Sequence, residues 1–474
     1  SENLSNQLDE PADYAENSDN AIRQYLASDV AETNFKNGVK PNVIEIMSES
    51  FADFRVFSKE LEELGYTGLD SYYAGLDKAA SMGTEGKFIV PTYASYTVRT
   101  EFEMLFGLPV KSLNDPNMPQ RMLLDRQQPT IPSYYKSWGY TTAYVHPFQS
   151  SFYSRKRIYS NFRFDTMIFE DDFTVPVTTY GEYIDDNVVY DQIESLIASS
   201  SEPLYLHATT MQNHQPYSDG DSDDEFLNYL SRIQHSADGL AEMLEHLSEA
   251  NEPTIVLFIG DHFPSLRGDN GIYNQLNITS ENCSDLYEQH YILWNNFNMD
   301  TSVLPSDPVS IFYYPYLIME MIDAPRDSFT QTMMDEMQTE PVYSTNYHPF
   351  QEPDQKLDTL TYDRILGDII SPSALDVLPD PEEDSTEETT TVPEPASILP
   401  ETTAPEPTPT IPQTTVTDPP TSEYLISGDL PTTYSMEVDP ILQLPELPTG
   451  CEITTLAMLL DAVGFQVDKV QLAE

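Results

Sequence analysis

The chain has 474 residues, with 22 Lys and Arg against 79 Asp and Glu, a net charge of −57 at pH 7. That length gives two or three domains with sizeable cores. The charge excludes a nucleic-acid binder, because a polyanion is repelled before contact forms. No stretch reaches the roughly 18 apolar residues of a membrane span, and the only two cysteines, Cys283 and Cys451, exclude a disulfide framework and a cysteine-rich zinc site.

The sequence begins at Ser1 without Met and stops inside an amphipathic pattern, so it reads as a fragment of something longer. Residues 1–35 are acidic and polar, with a weakly helical stretch, AIRQYLASDVAE, and read as a connector. From Pro41 the pattern changes. PNVIEIMSES is a short apolar strand running into small polar residues, the form of a buried parallel strand with a functional end. GYTTAYVH (139–146), PLYLHATT (203–210) and TIVLFIGDH (254–262) repeat it, with helical patterns at 186–200 and 227–250 between them. Strands alternating with such helices predict an α/β fold: a mostly parallel sheet with helices on both faces. Ligands of such sheets gather at the carboxyl ends of the strands.

Residues 379–420 hold 11 Pro, 11 Thr and 10 Asp or Glu without Lys, Arg or an aromatic residue. This composition cannot bury enough apolar surface to offset chain entropy, which predicts a disordered, self-repelling linker. Apolar periodicity returns afterwards. The expected domains are therefore 1–35, 36–375, a linker at 376–425, and a final piece at 426–474 that breaks off early.

Polar clusters fall where strands end. Ser48-Glu49-Ser50 follows NVIEIM, and Asp261-His262 follows TIVLFIG. Glu, Asp and His together suit a divalent metal. A lone Glu after a strand also serves as a charge at a helix N-terminus. A third cluster is PTYASYTVRTEFEMLFGLP (91–109). In one reading Thr97 is a helix N-cap and Glu101 lies in the first turn. In the other, the Thr97 hydroxyl at a helix N-terminus binds a phosphate or sulfate, and a metal lowers its pKa to make it a nucleophile.

The motifs SESF, TVRTEFEMLFG, HPFQSSFYSRKRIY, TTMQNHQPY and FIGDH, in this order from about Asn42 to the segment 362–370, resemble the lipoteichoic acid synthase family. These are phosphoglycerol transferases of the sulfatase and alkaline-phosphatase superfamily. The resemblance implies that Glu49, Asp261 and His262 bind one divalent ion, Mn²⁺ or else Mg²⁺, with Thr97 as nucleophile and fourth ligand. It implies that His146, Arg155 and His214 hold the phosphoglycerol head group, and His214 is placed for proton transfer or oxyanion stabilisation. It further implies an anionic phospholipid donor, an envelope polymer or glycolipid acceptor, and an extracellular site in the bacterial envelope, membrane-anchored through segments absent from this chain. Two positions depart from the family pattern. Its glycine-rich approach to the threonine is Ala94-Ser95-Tyr96 here, and its tryptophan two residues before the arginine is Tyr153. Arg155, Lys156, Arg157 and Arg163 form a basic cluster that offsets the overall negative charge locally, or else are solvated surface charges.

Near the end, LQLPELPTGCEITTLAMLL resembles the start of C39-like, papain-type cysteine peptidases. That resemblance implies Cys451 as nucleophile and Gln443 as an oxyanion-hole donor. No His follows Cys451, so this piece is expected to be inactive as a peptidase. Cys283 reads as an ordinary buried thiol. Two other functions use the same main-domain residues: a sulfatase or phosphodiesterase with water as acceptor, and an inactive envelope-binding module.

Overall fold

The computed structural model describes residues 8–379 apart from 114–117, 219–221, 223, 267–270, 280–281 and 349. Gln443, Cys451, the segment 426–474 and nearly all of the expected linker lie outside the described residues. Ten strands are described: β1 (Asn42–Ser48), β2 (Thr84–Ile89), β3 (Thr141–Val145), β4 (Thr166–Ile168), β5 (Thr179–Tyr180), β6 (Tyr183–Ile184), β7 (Leu204–Thr209), β8 (Thr254–Gly260), β9 (Glu288–Asn295) and β10 (Val309–Ser310). Eight of them form one sheet in the order β10-β2-β9-β8-β1-β7-β3-β4, and β5 and β6 make a separate hairpin.

The predicted parallel sheet is present. β8, β1, β7, β3 and β4 run parallel, with Ser48 opposite Gly260 and Met47 opposite Thr209. The buried apolar runs of β8, β1, β7 and β3 are what the sequence displays, whereas β4 is three residues long with only Ile168 buried. β9 instead runs antiparallel to both β8 and β2. Neither β2 nor β9 is legible as a strand: TEGKFI has no continuous apolar run, and EQHYILWN opens on polar residues.

The pleat sends alternate side chains to opposite faces. On one face Val43, Met47, Tyr144, Tyr205 and Leu257 pack under the helices Thr97–Phe106 and Tyr314–Met321. On the other Ile44, Ile46, Leu206, Val256 and Phe258 pack under the helices Asp186–Ser199 and Glu225–Ser248. Asp224 starts the second of these, accepting hydrogen bonds from the Phe226 and Leu227 amides. Among the described residues no helix is long and apolar enough to cross a membrane. The first helix, Ala12–Arg23, begins well ahead of the stretch its sequence suggested. It buries Tyr14, Ala21 and Ile22, and the Tyr14 hydroxyl donates to Asp363 Oδ1 at 3.0 Å.

Gly260 shows how closely the strand ends approach. A Cβ there would lie 1.8 Å from the carbonyl oxygen of Phe51, in the turn that carries Glu49. Since backbone cannot yield as a side-chain tip can, Gly260→Ala is expected to destabilise the protein by about 3 kcal/mol or more. Urea denaturation reads this directly, and an unchanged midpoint would contradict it.

Candidate active site

Four side chains meet at the carboxyl ends of β1 and β8 and the start of the helix Thr97–Phe106. Glu49, Asp261 and His262 each offer a ligand atom within 4.8 Å of the others, and all three are buried. The Thr97 hydroxyl donates to Glu49 Oε2 at 2.8 Å and lies 3.5 Å from His262 Nε2. The cluster is held by its own backbone. Asp261 Oδ1 accepts hydrogen bonds from the amides of Ser50 (2.6 Å) and His262 (2.7 Å), and the Ser50 hydroxyl donates to Glu49 Oε1 at 2.8 Å. The turn costs strain, since Ser50 has a left-handed φ of 51°. Ala94 and Tyr96, ahead of Thr97, have φ values of 64° and 65°. Glycine takes such a conformation freely, whereas other residues lose about 1–2 kcal/mol. This is the physical counterpart of the glycine-rich approach absent here. Tyr96, not Thr97, is the N-cap, and Glu101 lies beyond the first turn.

One helical turn after Thr97, the Glu101 carboxylate is fully buried. Four side chains donate to it: Tyr144 (2.7 Å), Tyr159 (2.6 Å), Thr209 (2.7 Å) and Arg155 through Nε (3.0 Å). Arg155 Nη2 adds an ion pair at 3.0 Å. Burial alone would raise the Glu101 pKa, but Arg155 and the surrounding donors hold it down to about 2. Arg155 Nη1 lies 3.2 Å from His146 Nε2, and His146 Nδ1 lies 2.8 Å from the Thr209 carbonyl. That carbonyl requires the proton on Nδ1, so Nε2 accepts from Arg155. Burial and the Arg155 charge push the His146 pKa down to about 3, which keeps it neutral. His146, expected to hold the head group, has both ring nitrogens within hydrogen-bonding distance of protein groups, Nε2 facing Arg155.

His214 lies in the loop after β7, half-buried, with Nδ1 2.6 Å from the Gln215 carbonyl and 3.0 Å from the Tyr183 hydroxyl. Adjacent residues join the two clusters: Thr209 donates to Glu101, and Thr210 Oγ1 accepts from the Glu49 amide. Of the basic cluster, Arg155 and Arg163 are buried whereas Lys156 and Arg157 face solvent. Cys283 is half-buried rather than buried. Sequence reasoning missed Glu101 as a site residue, along with Tyr144, Tyr159 and Thr209. The available signal was a Glu four positions after Thr97 in a segment otherwise rich in apolar residues; all ten residues of that helix are buried.

The donor set fits a divalent cation. His262 Nδ1 sits 2.8 Å from the Phe263 carbonyl, which places its proton there and leaves the Nε2 lone pair facing Asp261 Oδ2 at 3.2 Å. Oδ2 is buried and receives no hydrogen bond. Burial, then the charge of Glu49, raises the Asp261 pKa well above the usual carboxylate range. Lone pairs converging in a buried space repel one another unless a cation lies between them. Asp261→Asn is therefore expected to stabilise the metal-free protein, because its amide can donate to His262 Nε2. Mn²⁺ at a hundred times its Kd is expected to stabilise the wild type by about 2.7 kcal/mol and the variant much less. Thermal melts with and without Mn²⁺ check both signs; a wild type indifferent to metal would remove the site.

The description "Sulfatase" is that of the family model matching residues 41–313. A Rhizobium meliloti protein named for cyclic beta-1,2-glucan modification is 25% identical over 244 residues, 48% of this chain and 36% of that protein. Lipoteichoic acid synthase of Staphylococcus saprophyticus is 26% identical over 258 residues, 47% of this chain and 36% of the relative. The chain thus matches little more than a third of the length of either. Among solved structures, Streptococcus pyogenes phosphoglycerol transferase GacH, in complex with sn-glycerol-1-phosphate, superposes with a TM-score of 0.59 at 19% identity, over 77% of this chain and 97% of that one. This likeness shows that the two chains share a fold.

Proposed function

This chain belongs to the sulfatase family, and from that premise we propose that it transfers phosphoglycerol from a phosphatidylglycerol-like lipid to an envelope polymer or glycolipid. The observation that carries this reading is the Thr97 hydroxyl, set among Glu49, Asp261 and His262. The Glu101–Arg155 pair one turn away supports it. The lipoteichoic acid synthases and the phosphoglycerol transferase among its relatives support the choice of group transferred. The proposed setting is the outer face of the bacterial envelope, with a membrane anchor in the full-length protein.

Glu49, Asp261, His262 and Thr97 would hold the divalent ion, Mn²⁺ in this proposal. When bound, it supplies positive charge that acidifies the threonine hydroxyl and offsets the phosphate charge. Thr97 Oγ bonds to phosphorus as the bond to the diacylglycerol oxygen breaks. The threonine proton passes to Glu49 Oε2, which already accepts its hydrogen bond. His214 gives a proton to the departing diacylglycerol oxygen. In the second step an acceptor hydroxyl attacks the phosphothreonine, His214 takes its proton, and Thr97 recovers its own from Glu49. Arg155, fixed by Glu101 and His146, keeps N–H groups for the phosphate oxygens. Positioning and charge account for most of the rate in such chemistry.

Product analysis with a fluorescent phosphatidylglycerol tests the proposal. Labelled diacylglycerol together with a lengthened glycerol phosphate acceptor is the expected result. Free glycerophosphate as the sole phosphorus product, in the presence of acceptor, would assign the site to hydrolysis instead.

A further inference from the structure

The β5–β6 hairpin has no part in the chemistry above, yet Tyr183 on it reaches the loop that carries His214. The Tyr183 hydroxyl lies 2.8 Å from the Gln215 carbonyl and 3.0 Å from His214 Nδ1, and its ring meets the His214 ring edge-on with centroids 5.5 Å apart. Tyr183 is buried, whereas His214 is half-buried and Gln215 faces solvent. On its other side Tyr183 packs against Phe148 at 6.1 Å, and Phe148 against the His146 ring at 6.3 Å. The hairpin is thus joined through ring contacts to the residue that lies against Arg155.

The backbone around His214 is held from below. Arg232, only 2% exposed, donates to the carbonyls of Gln212 (3.1 Å), His214 (2.6 Å) and Pro216 (2.9 Å). Asn213 Nδ2 donates to the hydroxyl of Ser48, the neighbour of Glu49, at 3.4 Å. What this grip leaves free is the imidazole ring, since the last torsion of a histidine side chain is broad and roughly two-fold. At His214 the polar contacts decide it. A carbonyl oxygen only accepts, so with Nδ1 at 2.6 Å from the Gln215 carbonyl the proton sits on Nδ1. The Tyr183 hydroxyl gives its own proton to that carbonyl and turns its lone pairs toward Nδ1–H.

We infer that Tyr183 is a positioning residue for His214: its hydroxyl and the Gln215 carbonyl form one seat for Nδ1–H, which fixes the ring and leaves Nε2 as the atom that exchanges protons. This rests on the transfer reading above, in which His214 moves the protons. The seat serves both steps without rearrangement. Nδ1 keeps its proton throughout, while Nε2 releases one to the departing oxygen and takes one from the acceptor hydroxyl. A flipped ring would present carbon to the carbonyl and carry Nε2 away from its place, which is the loss that an orienting partner of a histidine prevents.

A double-mutant cycle tests the inference, with the rate read as labelled diacylglycerol released from the fluorescent lipid, so that it holds whether the acceptor is a polymer or water. Tyr183→Phe keeps the ring and is expected to lower kcat about tenfold with KM for the lipid within about twofold, and His214→Ala to lower kcat at least about a hundredfold. In the His214→Ala background Tyr183→Phe is expected to cost less than about twofold, because the hydroxyl then has nothing to aim. An unchanged kcat in Tyr183→Phe, or an equal loss in both backgrounds, would overturn the inference and leave the transfer reading standing. A wild-type rate in His214→Ala would strike His214 from that reading and this inference with it. A second measurement needs no turnover. In ¹⁵N-histidine NMR of the Mg²⁺-loaded protein at about pH 8.5, where an ordinary imidazole is neutral, His214 is expected to carry its proton on Nδ1, and in Tyr183→Phe to show both tautomers. A proton on Nε2 in the wild type, or the same single tautomer in the variant, would overturn the inference.

Discussion

Thr97→Ala is expected to lower phosphoglycerol transfer by at least about 10³-fold while leaving the fold in place. The substitution removes one hydroxyl, whose hydrogen bond to Glu49 Oε2 is 2.8 Å long. Losing that bond costs only about 0.5–1.5 kcal/mol of stability, because the carboxylate keeps the Ser50 hydroxyl. The chemistry has no such reserve, since no other described hydroxyl lies within hydrogen-bonding reach of both Glu49 and His262. Thr97→Ser keeps the oxygen and is expected to retain measurable activity. Mass spectrometry after rapid quenching with donor lipid provides an independent readout: the wild type should gain one phosphoglycerol and the alanine variant none. Wild-type turnover by Thr97→Ala would end the covalent scheme.

Glu101→Gln is expected to cost about 3–5 kcal/mol of stability, the range for breaking a buried ion pair from one side. Transfer is expected to fall by about a hundredfold in addition. A carboxylate accepts from all four surrounding side chains, whereas glutamine turns an NH₂ group toward donors. Arg155 then remains buried, at 1% exposure, without its counter-charge and without the contact that aims it. The pH dependence has a definite sign. The folded pKa of Glu101, about 2, lies below the ordinary glutamate value of 4.5. Its contribution is therefore complete above pH 4.5 and drains away as pH falls toward 2. The stability gap between wild type and variant, measured in urea, should be widest near pH 7 and narrow steadily below pH 4.5. A gap that is constant with pH would mean that Glu101 acts through shape alone.

The same residues mark how far the sequence reaches. β1, β3, β7 and β8 were legible because strands buried on both faces need continuous apolar runs, and the polar residues ending those runs marked the site. β2 and β9 were not legible, because an antiparallel partner set by the fold, not a local pattern, makes strands of TEGKFI and EQHYILWN. Glu101 read as a charge near a helix start, since nothing local shows that Tyr144, Tyr159, Thr209 and Arg155 converge on it.

Taken alone, the amino-acid order determined which segments are buried, which chemistry ends them, and which known motifs they resemble. Local period and composition report burial directly. Only the tertiary structure decided that Glu49 and Asp261 share one enclosed space, that His146 lies against Arg155, and that four side chains converge on Glu101. Those facts depend on sheet order and on contacts between residues from nine to more than two hundred positions apart. Electrostatic energy in a low-dielectric interior is set by such distances, and no local pattern of residues encodes them.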